Sequence, residues 1–396
     1  MAGIKKKNKF GFAAFLIGVI VLEIFSFGGL CFVKYFKRME YITKNFKLSR
    51  RQEQYIKDML LDKIKYLNYD KDLGWNLKAH GKSGKFKANG QSIRAYKEYS
   101  QLPKEGILRI AAFGDSFAHC DEVANNETWQ HFMEKKSPDM EVLNFGVSGY
   151  GLDQAYLRYL KEGRKFHPHI VFICFMQNDY FRHVNVFRPF YNNNTGVPLT
   201  KPRFTIVNKK LILIKNPIGT KEGLARIISR EKQYFALLGQ YDYYWQVLPE
   251  KSLFDIFASV RLVKILMKMY LANENFLYQD NIYNPDSEAF KLTEKIVDDF
   301  YAEVERNGSI PVIVVFPDKV ALKLYGLLHK RLYDRLVEKW KDNGYNYIDL
   351  MGNFLLETAP DNINSLFATK GHYNRQGNSY VAGQLINYLQ RKKLLE

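Results

Sequence analysis

"AAFGDSFAHC", Ala111–Cys120, runs a strand-like apolar stretch directly into Gly114, Asp115 and Ser116. In an open α/β sheet, ligands bind at the carboxyl ends of the strands, so Ser116 stands where a nucleophile would, past a strand and at the start of a helix. Gly114 permits a sharp turn. The helix N-terminus offers backbone N–H groups and the positive end of a dipole to an anion forming at Ser116. Taken alone, the same residues equally describe a helix N-cap at Ser116 with Asp115 in the turn.

The rest of the chain says what kind of sheet this strand joins. Short β-rich runs recur at Ile107–Gly114, Met140–Gly146, Ile170–Met176, Ile310–Phe316 and Tyr345–Leu350. Helical stretches such as "ETWQHFMEKK", "DQAYLRYLKEG" and "LTEKIVDDFYAEVERNG" separate them. Alternation of this kind predicts a parallel central sheet with helices on both faces. Between the third and fourth runs lies an insertion, Phe181–Phe290, with its own strands in "RFTIVNKKLILIKN" and an apolar helix, "LFDIFASVRLVKILMKMYL". That helix reads as a core helix, since its interspersed charges argue against a second membrane span.

Other strand ends carry matching chemistry. The second run ends in "NFGVSGYG", where Gly149 can bring a backbone N–H close to a bound oxygen, and the third ends in "MQNDY", where Asn178 has a carboxamide N–H to aim at the same point. Near the C-terminus "GHYNRQGN" supplies His372 in a loop before a helix. Each has a bland explanation as a turn glycine, a strand-capping Asn or a surface His. Four such residues at successive strand ends are hard to produce by chance.

These blocks resemble those of the SGNH (GDSL-type) hydrolase family, in particular its membrane-anchored bacterial members. "FGDSF" matches the first block, "NFGVSG" the second, "QND" the third and "GHYN" the fourth, over about Ile107–Phe181 and Ile310–Leu394. The preceding "DLGWNLKAHG…NGQSIRAY" is similar to the lead-in of anchored members, and the insertion is outside the likeness. The resemblance implies a flavodoxin-like three-layer α/β fold with a central parallel sheet. It implies Ser116 as nucleophile and His372 as general base. Gly149 and Asn178 would join the Ser116 N–H as oxyanion donors, and Asp115 and Asp179 would support the site. It implies no metal or organic cofactor. One departure stands out: the family's Asp two or three residues before the catalytic His is replaced by Lys370 and Thr369. Either a Ser-His dyad works with a backbone carbonyl orienting His372, or an acid from elsewhere fills in, with Asp361 and Asp318 as candidates, or catalysis is lost.

Composition narrows the setting. With 46% hydrophobic residues over 396 the chain can fill a real core, and 59 Lys and Arg against 41 Asp and Glu give a net charge of +18. A basic balance favours acidic surroundings, but no zinc spacing, Walker loop or basic-aromatic signature is present, so nucleic acid is not an expected partner. Cys31, Cys120 and Cys174 do not make a disulfide framework, and Cys120 reads as a buried, inert thiol.

Four lysines, Lys5, Lys6, Lys7 and Lys9, precede an apolar run from Phe10 to Val33 broken only by Glu23, long enough to cross about 30 Å of hydrocarbon. It reads as one membrane anchor. A cleaved signal is the rival, but its apolar core is usually about 7–15 residues and ends in a small-x-small site, which this run lacks. Glu23 costs about 2.5–3.5 kcal/mol near a helix centre and so marks a candidate helix partner. The expected organisation is a basic tail (1–9), a transmembrane anchor (10–33), a stalk (34–71) and a hydrolase domain (72–396) with its insertion at about 181–290. Seven basic residues from Lys34 to Arg51 would hold the domain in the cytoplasm by the positive-inside rule, whereas the family resemblance implies an extracytoplasmic domain, which is the expectation adopted. The expected function is that of a serine esterase or O-acyltransferase acting on a small acyl ester, acetyl foremost, of a glycan or other envelope substrate. The other reading is a catalytically silent binding or scaffold protein for acylated glycans. Substrate, hydrolysis against transfer, and oligomeric state are left open.

Overall fold

The computed structural model describes residues 2–37, 42–45, 47–272, 277–280, 282–357 and 360–395; the side chains of 2–10, 36–37, 271–272, 356–357 and 360–362 lie outside the description. Five strands, β1 (Leu108–Phe113), β2 (Met140–Asn144), β3 (Ile170–Met176), β4 (Ile310–Phe316) and β5 (Tyr347–Asp349), make one sheet in the order β5-β4-β3-β1-β2, with every pair parallel. This is the flavodoxin-like arrangement, and its switch point lies between β1 and β3, where the connections part to opposite sides.

The helices that matter for the site are, in chain order, α1 (Ala2–Lys37), α2 (Arg50–Leu60), α3 (Ser116–His119), α4 (Trp129–Lys136), α5 (Leu152–Lys161), α6 (Asp179–Arg182), α7 (Lys221–Ser229), α8 (Ala258–Ala272), α9 (Glu288–Arg306), α10 (Lys319–Leu328), α11 (Asp334–Asp342) and α12 (Arg375–Arg391). Strand residues alternate between two cores. Ala111, Phe113, Ile173, Ile313 and Val315 face α5, α9 and α11, while Ile110, Ala112, Phe172, Val312 and Val314 face α4, α10 and α12. Burial on both faces is why these strands read as unbroken apolar runs rather than as alternating ones.

A third apolar cluster joins the lead-in to the insertion: Ile56 and Met59 of α2 lie with Trp75, Phe187, Phe190, Leu224 and Phe235. The segment after α1 is therefore laid against the insertion, and the Lys44 N–H donates to the Pro249 carbonyl at 3.1 Å. The apolar stretch at 253–271 departs from its sequence reading. It divides into a 3-10 turn, Leu253–Ile256, and α8, and of the described α8 side chains only Ala258 and Ile265 are buried. Val263, Leu266, Met267 and Tyr270 face outward instead.

Candidate active site

The turn that carries Ser116 is built by three local effects. Asp115 caps α3 by accepting the Phe117 N–H at 2.8 Å, and α3 lasts a single turn because Cys120 takes a left-handed conformation, φ 64°. Gly114 is needed for closeness and not for a special dihedral: a Cβ there would stand 2.6 Å from the Cys174 Cβ on β3. After Cys120 the chain is pinned by His119, whose ring bonds the Tyr66 hydroxyl and the Asp121 carboxylate, each at 2.6 Å, and Asp121 also accepts from the Ser148 hydroxyl. Burial and the Arg94 cation lower His119 to about 4, so it stays neutral.

That pinned loop delivers a residue the sequence reading passed over. Glu122, at φ 74°, turns its carboxylate onto the loop before α12. It accepts from the Lys370 N–H at 2.7 Å, from the His372 N–H at 3.0 Å, and lies 3.1 Å from His372 Nδ1. The opposite ring nitrogen, Nε2, is 2.9 Å from Ser116 Oγ. Serine, imidazole and carboxylate thus form an unbroken line. Although burial opposes it, the donors from His372 and Lys370 hold the Glu122 carboxyl below its usual range. Non-glycine residues with φ near +60° cost about 1–2 kcal/mol each, and Cys120 and Glu122 both carry that strain within three residues.

The two acids offered from sequence do other things. Asp318 caps α10 through the Ala321 N–H at 2.6 Å and accepts from the Gln177 carboxamide at 3.0 Å, and it makes no hydrogen bond to His372 among the described residues. Asp361 falls among the residues whose side chains lie outside the description. Cys120 is buried, and its thiol is pushed up to about 12 by burial.

Arg182 ties the remaining motif positions together. One of its terminal nitrogens pairs with Asp115 at 2.9 Å and Asp179 at 3.1 Å, and also donates to the Tyr150 carbonyl. These three partners are the sequence neighbours of Ser116, Asn178 and Gly149, so one guanidinium holds the three strand ends in register. Burial and the Asp115 charge push Asp179 well above the carboxylate range, against the pull of Arg182. Gly149 takes φ 80°, and its N–H and the Asn178 carboxamide have no hydrogen-bond partner among the described residues. Trp75 from the lead-in supports this loop by donating to the Ser148 carbonyl.

The sequence also gave no warning of Arg188. It donates to the Gly149 carbonyl at 3.0 Å, forms no ion pair among the described residues, and is lowered to about 10 by burial and by the Arg182 charge.

The family described as GDSL-like Lipase/Acylhydrolase matches residues 110–210. Among solved structures, a GDSL-like lipase from Bacteroides thetaiotaomicron is 10% identical, covering 74% of this chain and 92% of its own, with a TM-score of 0.34. A member of the lipolytic protein G-D-S-L family from Veillonella parvula is 12% identical over 72% of this chain and 98% of its own, with a TM-score of 0.34. No curated protein matches the chain. The matched stretch, which runs from β1 into the insertion and carries Ser116, Gly149 and Asn178, is similar to the GDSL-like lipase/acylhydrolase family.

Proposed function

We propose that the protein is a serine esterase or O-acyltransferase in which Ser116, His372 and Glu122 form the catalytic triad. The observation that carries this reading is the bridging imidazole, 2.9 Å from Ser116 Oγ on one side and 3.1 Å from Glu122 on the other. Ser116 Oγ attacks the ester carbonyl as His372 Nε2 takes its proton, and Glu122 holds the Nδ1–H and stabilises the imidazolium. The tetrahedral oxyanion is met by the N–H groups of Ser116 and Gly149 and the Asn178 carboxamide, each such donor being worth about 2.7–4 kcal/mol. His372 then gives its proton to the leaving alkoxide, and the acyl group stays on Ser116. Water or an acceptor hydroxyl, deprotonated by the same Nε2, attacks the acyl-enzyme and releases Ser116.

The substrate proposed is a small acyl ester, acetyl foremost, of a glycan or other envelope molecule. The silent-binder reading rested on the missing acid, and Glu122 takes away that ground. We propose further that α1 anchors the chain in the membrane with the domain outside the cytoplasm. One helix, Gly11–Tyr35, is long and apolar enough to cross, and its Glu23 bonds the insertion, which favours a retained anchor over a cleaved signal. Purified full-length protein in detergent is to be assayed for acetate release from p-nitrophenyl acetate and from acetylated envelope glycans. Turnover with a serine-directed phosphonate labelling Ser116 is expected, and labelling that persists in Ser116→Ala would overturn the assignment. A reporter fused after Glu396 and active only inside the cytoplasm would overturn the topology.

A further inference from the structure

α1 and the insertion meet along one seam. On α1 the side chains with reduced exposure are Val19, Glu23, Ser26, Leu30 and Val33, spaced four and three apart, as two packed helices require. The partner is α8. The Glu23 carboxylate accepts from the Ala258 and Ser259 N–H groups and from the Ser259 hydroxyl. It thereby caps the first turn of α8 from another part of the chain and sets a negative charge at the positive end of that helix. Six residues further along, a Cβ on Gly29 would lie 2.9 Å from a Leu262 methyl, so glycine lets the two backbones come close. Position 23 meets 258 and 259, and position 29 meets 262, so the helices run parallel.

Around this seam the apolar groups face outward. Leu253 is 91% exposed, Ile256 78% and Phe254 67%, and α8 adds Val263, Leu266, Met267 and Tyr270. Two charges of the same segment pair with each other: Lys264 Nζ bonds Asp255 at 2.6 Å and the Glu250 carbonyl at 2.8 Å, and Asp255 accepts the Ser252 N–H at 3.0 Å. A surface that exposes this much contiguous hydrocarbon, with Lys264 and Asp255 paired to each other, suits a lipid environment better than water. Both helices also carry an exposed tyrosine near their last turn, Tyr35 and Tyr270, the residue type that settles at a membrane interface.

We propose that residues 252–270 enter the acyl region of the leaflet nearest the domain, descending through the 3-10 turn and returning along α8. The hydrolase domain is then held on the bilayer by two elements. Twelve helical residues separate Glu23 from Tyr35, about 18 Å of axial rise, comparable with half of a hydrocarbon core of about 30 Å. The turn therefore reaches deep into one leaflet without spanning. This inference rests on α1 lying in the membrane.

The test uses full-length protein in phosphatidylglycerol–phosphatidylcholine vesicles, with Cys31→Ser as background and a nitroxide on a single introduced cysteine. Leu253→Cys and Ile256→Cys report the turn, Ile20→Cys reports α1, and Val207→Cys reports an exposed hairpin of the insertion. At the turn, collisions with a polar nickel chelate are expected to be about tenfold fewer than at Val207, with collisions with oxygen raised, because a polar chelate is excluded from hydrocarbon. Labels at 253 and 256 as open to the chelate as at 207, with Ile20 still shielded, would overturn this inference while leaving the anchor in place. Chelate access at Ile20 as well would overturn the anchor reading itself. Spin–spin broadening at 253 that disappears on dilution with unlabelled protein would overturn it in favour of contact between two copies.

Discussion

At the carboxyl edge of the sheet, Ser116, His372 and Glu122 are joined by contacts of 2.9 and 3.1 Å, and Arg182 fixes three neighbouring loops through a single nitrogen. At residues 253–270 the insertion instead turns large apolar side chains outward and holds its place through one capping carboxylate and the area it can bury. The first region is specified by directed hydrogen bonds, whose worth is lost when one atom changes. The second is specified by area, which accumulates gradually and without direction. The two should therefore answer mutation differently, by collapse of turnover in one and by graded loss of membrane affinity in the other.

The sharpest break is at the edge. Ser116→Ala and His372→Ala are each expected to lower kcat for p-nitrophenyl acetate by about four to six orders of magnitude, with circular dichroism unchanged. Residual turnover above about 1% of wild type would show that chemistry is carried elsewhere.

Glu122→Gln comes next. It keeps the shape of the side chain and removes the charge, so kcat should fall about 10²–10⁴-fold while KM stays near wild type, as for loss of a triad acid. It also carries a stability signature. A carboxyl held below its ordinary 4.5 in the folded state contributes stability that is present above that value and fades as pH falls through the lower, folded-state pKa. Denaturation midpoints of Glu122→Gln and wild type should hence differ at pH 7 and converge once the pH falls below the lowered, folded-state pKa. A constant difference at all pH values would mean that Glu122 acts by shape alone.

A smaller effect tests whether the acid's origin matters. Adding Lys370→Asp to Glu122→Gln restores a carboxylate two residues before His372, and recovery of about tenfold in kcat is expected, since the new acid must find its own geometry. No recovery would indicate that the backbone donors to Glu122, and not its charge, orient the ring.

At the far end of the series, Asp318→Asn should leave kcat within about twofold and cost about 1 kcal/mol of stability by weakening the cap of α10. Paired Leu253→Ser and Ile256→Ser changes should likewise leave turnover of a soluble ester unchanged in detergent, yet reduce co-flotation with vesicles. A loss of turnover there would join the two regions that are separated here.

What could be read from sequence follows the same division. The five strands were legible because both faces of the sheet are covered, which demands continuous runs such as "IVFICFM". Ser116, Gly149 and Asn178 drew notice because they follow predicted strands, and His372 because it stands in a loop directly before the last helix. Glu122 was hidden because its reach depends on left-handed turns at Cys120 and Glu122, and on a partner 250 residues away. "HCDE" directly after the nucleophile turn was the available signal. The insertion helix was misassigned for a different reason. Apolar composition says that a face avoids water, and it does not say whether protein or lipid replaces it.

The placement of Glu122 also bears on how the site is assembled in time. Ser116 and Glu122 sit on one short loop and can be set by local structure, whereas His372 reaches them from 256 positions away in the chain. Loops of that length close late and at a high entropic cost, so the imidazole is the last member to arrive. Until α12 docks and brings the loop before it onto Glu122, a partly folded chain holds a nucleophile and an acid with no base between them. On the proposed mechanism, ester turnover is accordingly a readout of completed folding, and a chain stalled before its final helix would be inert toward esters.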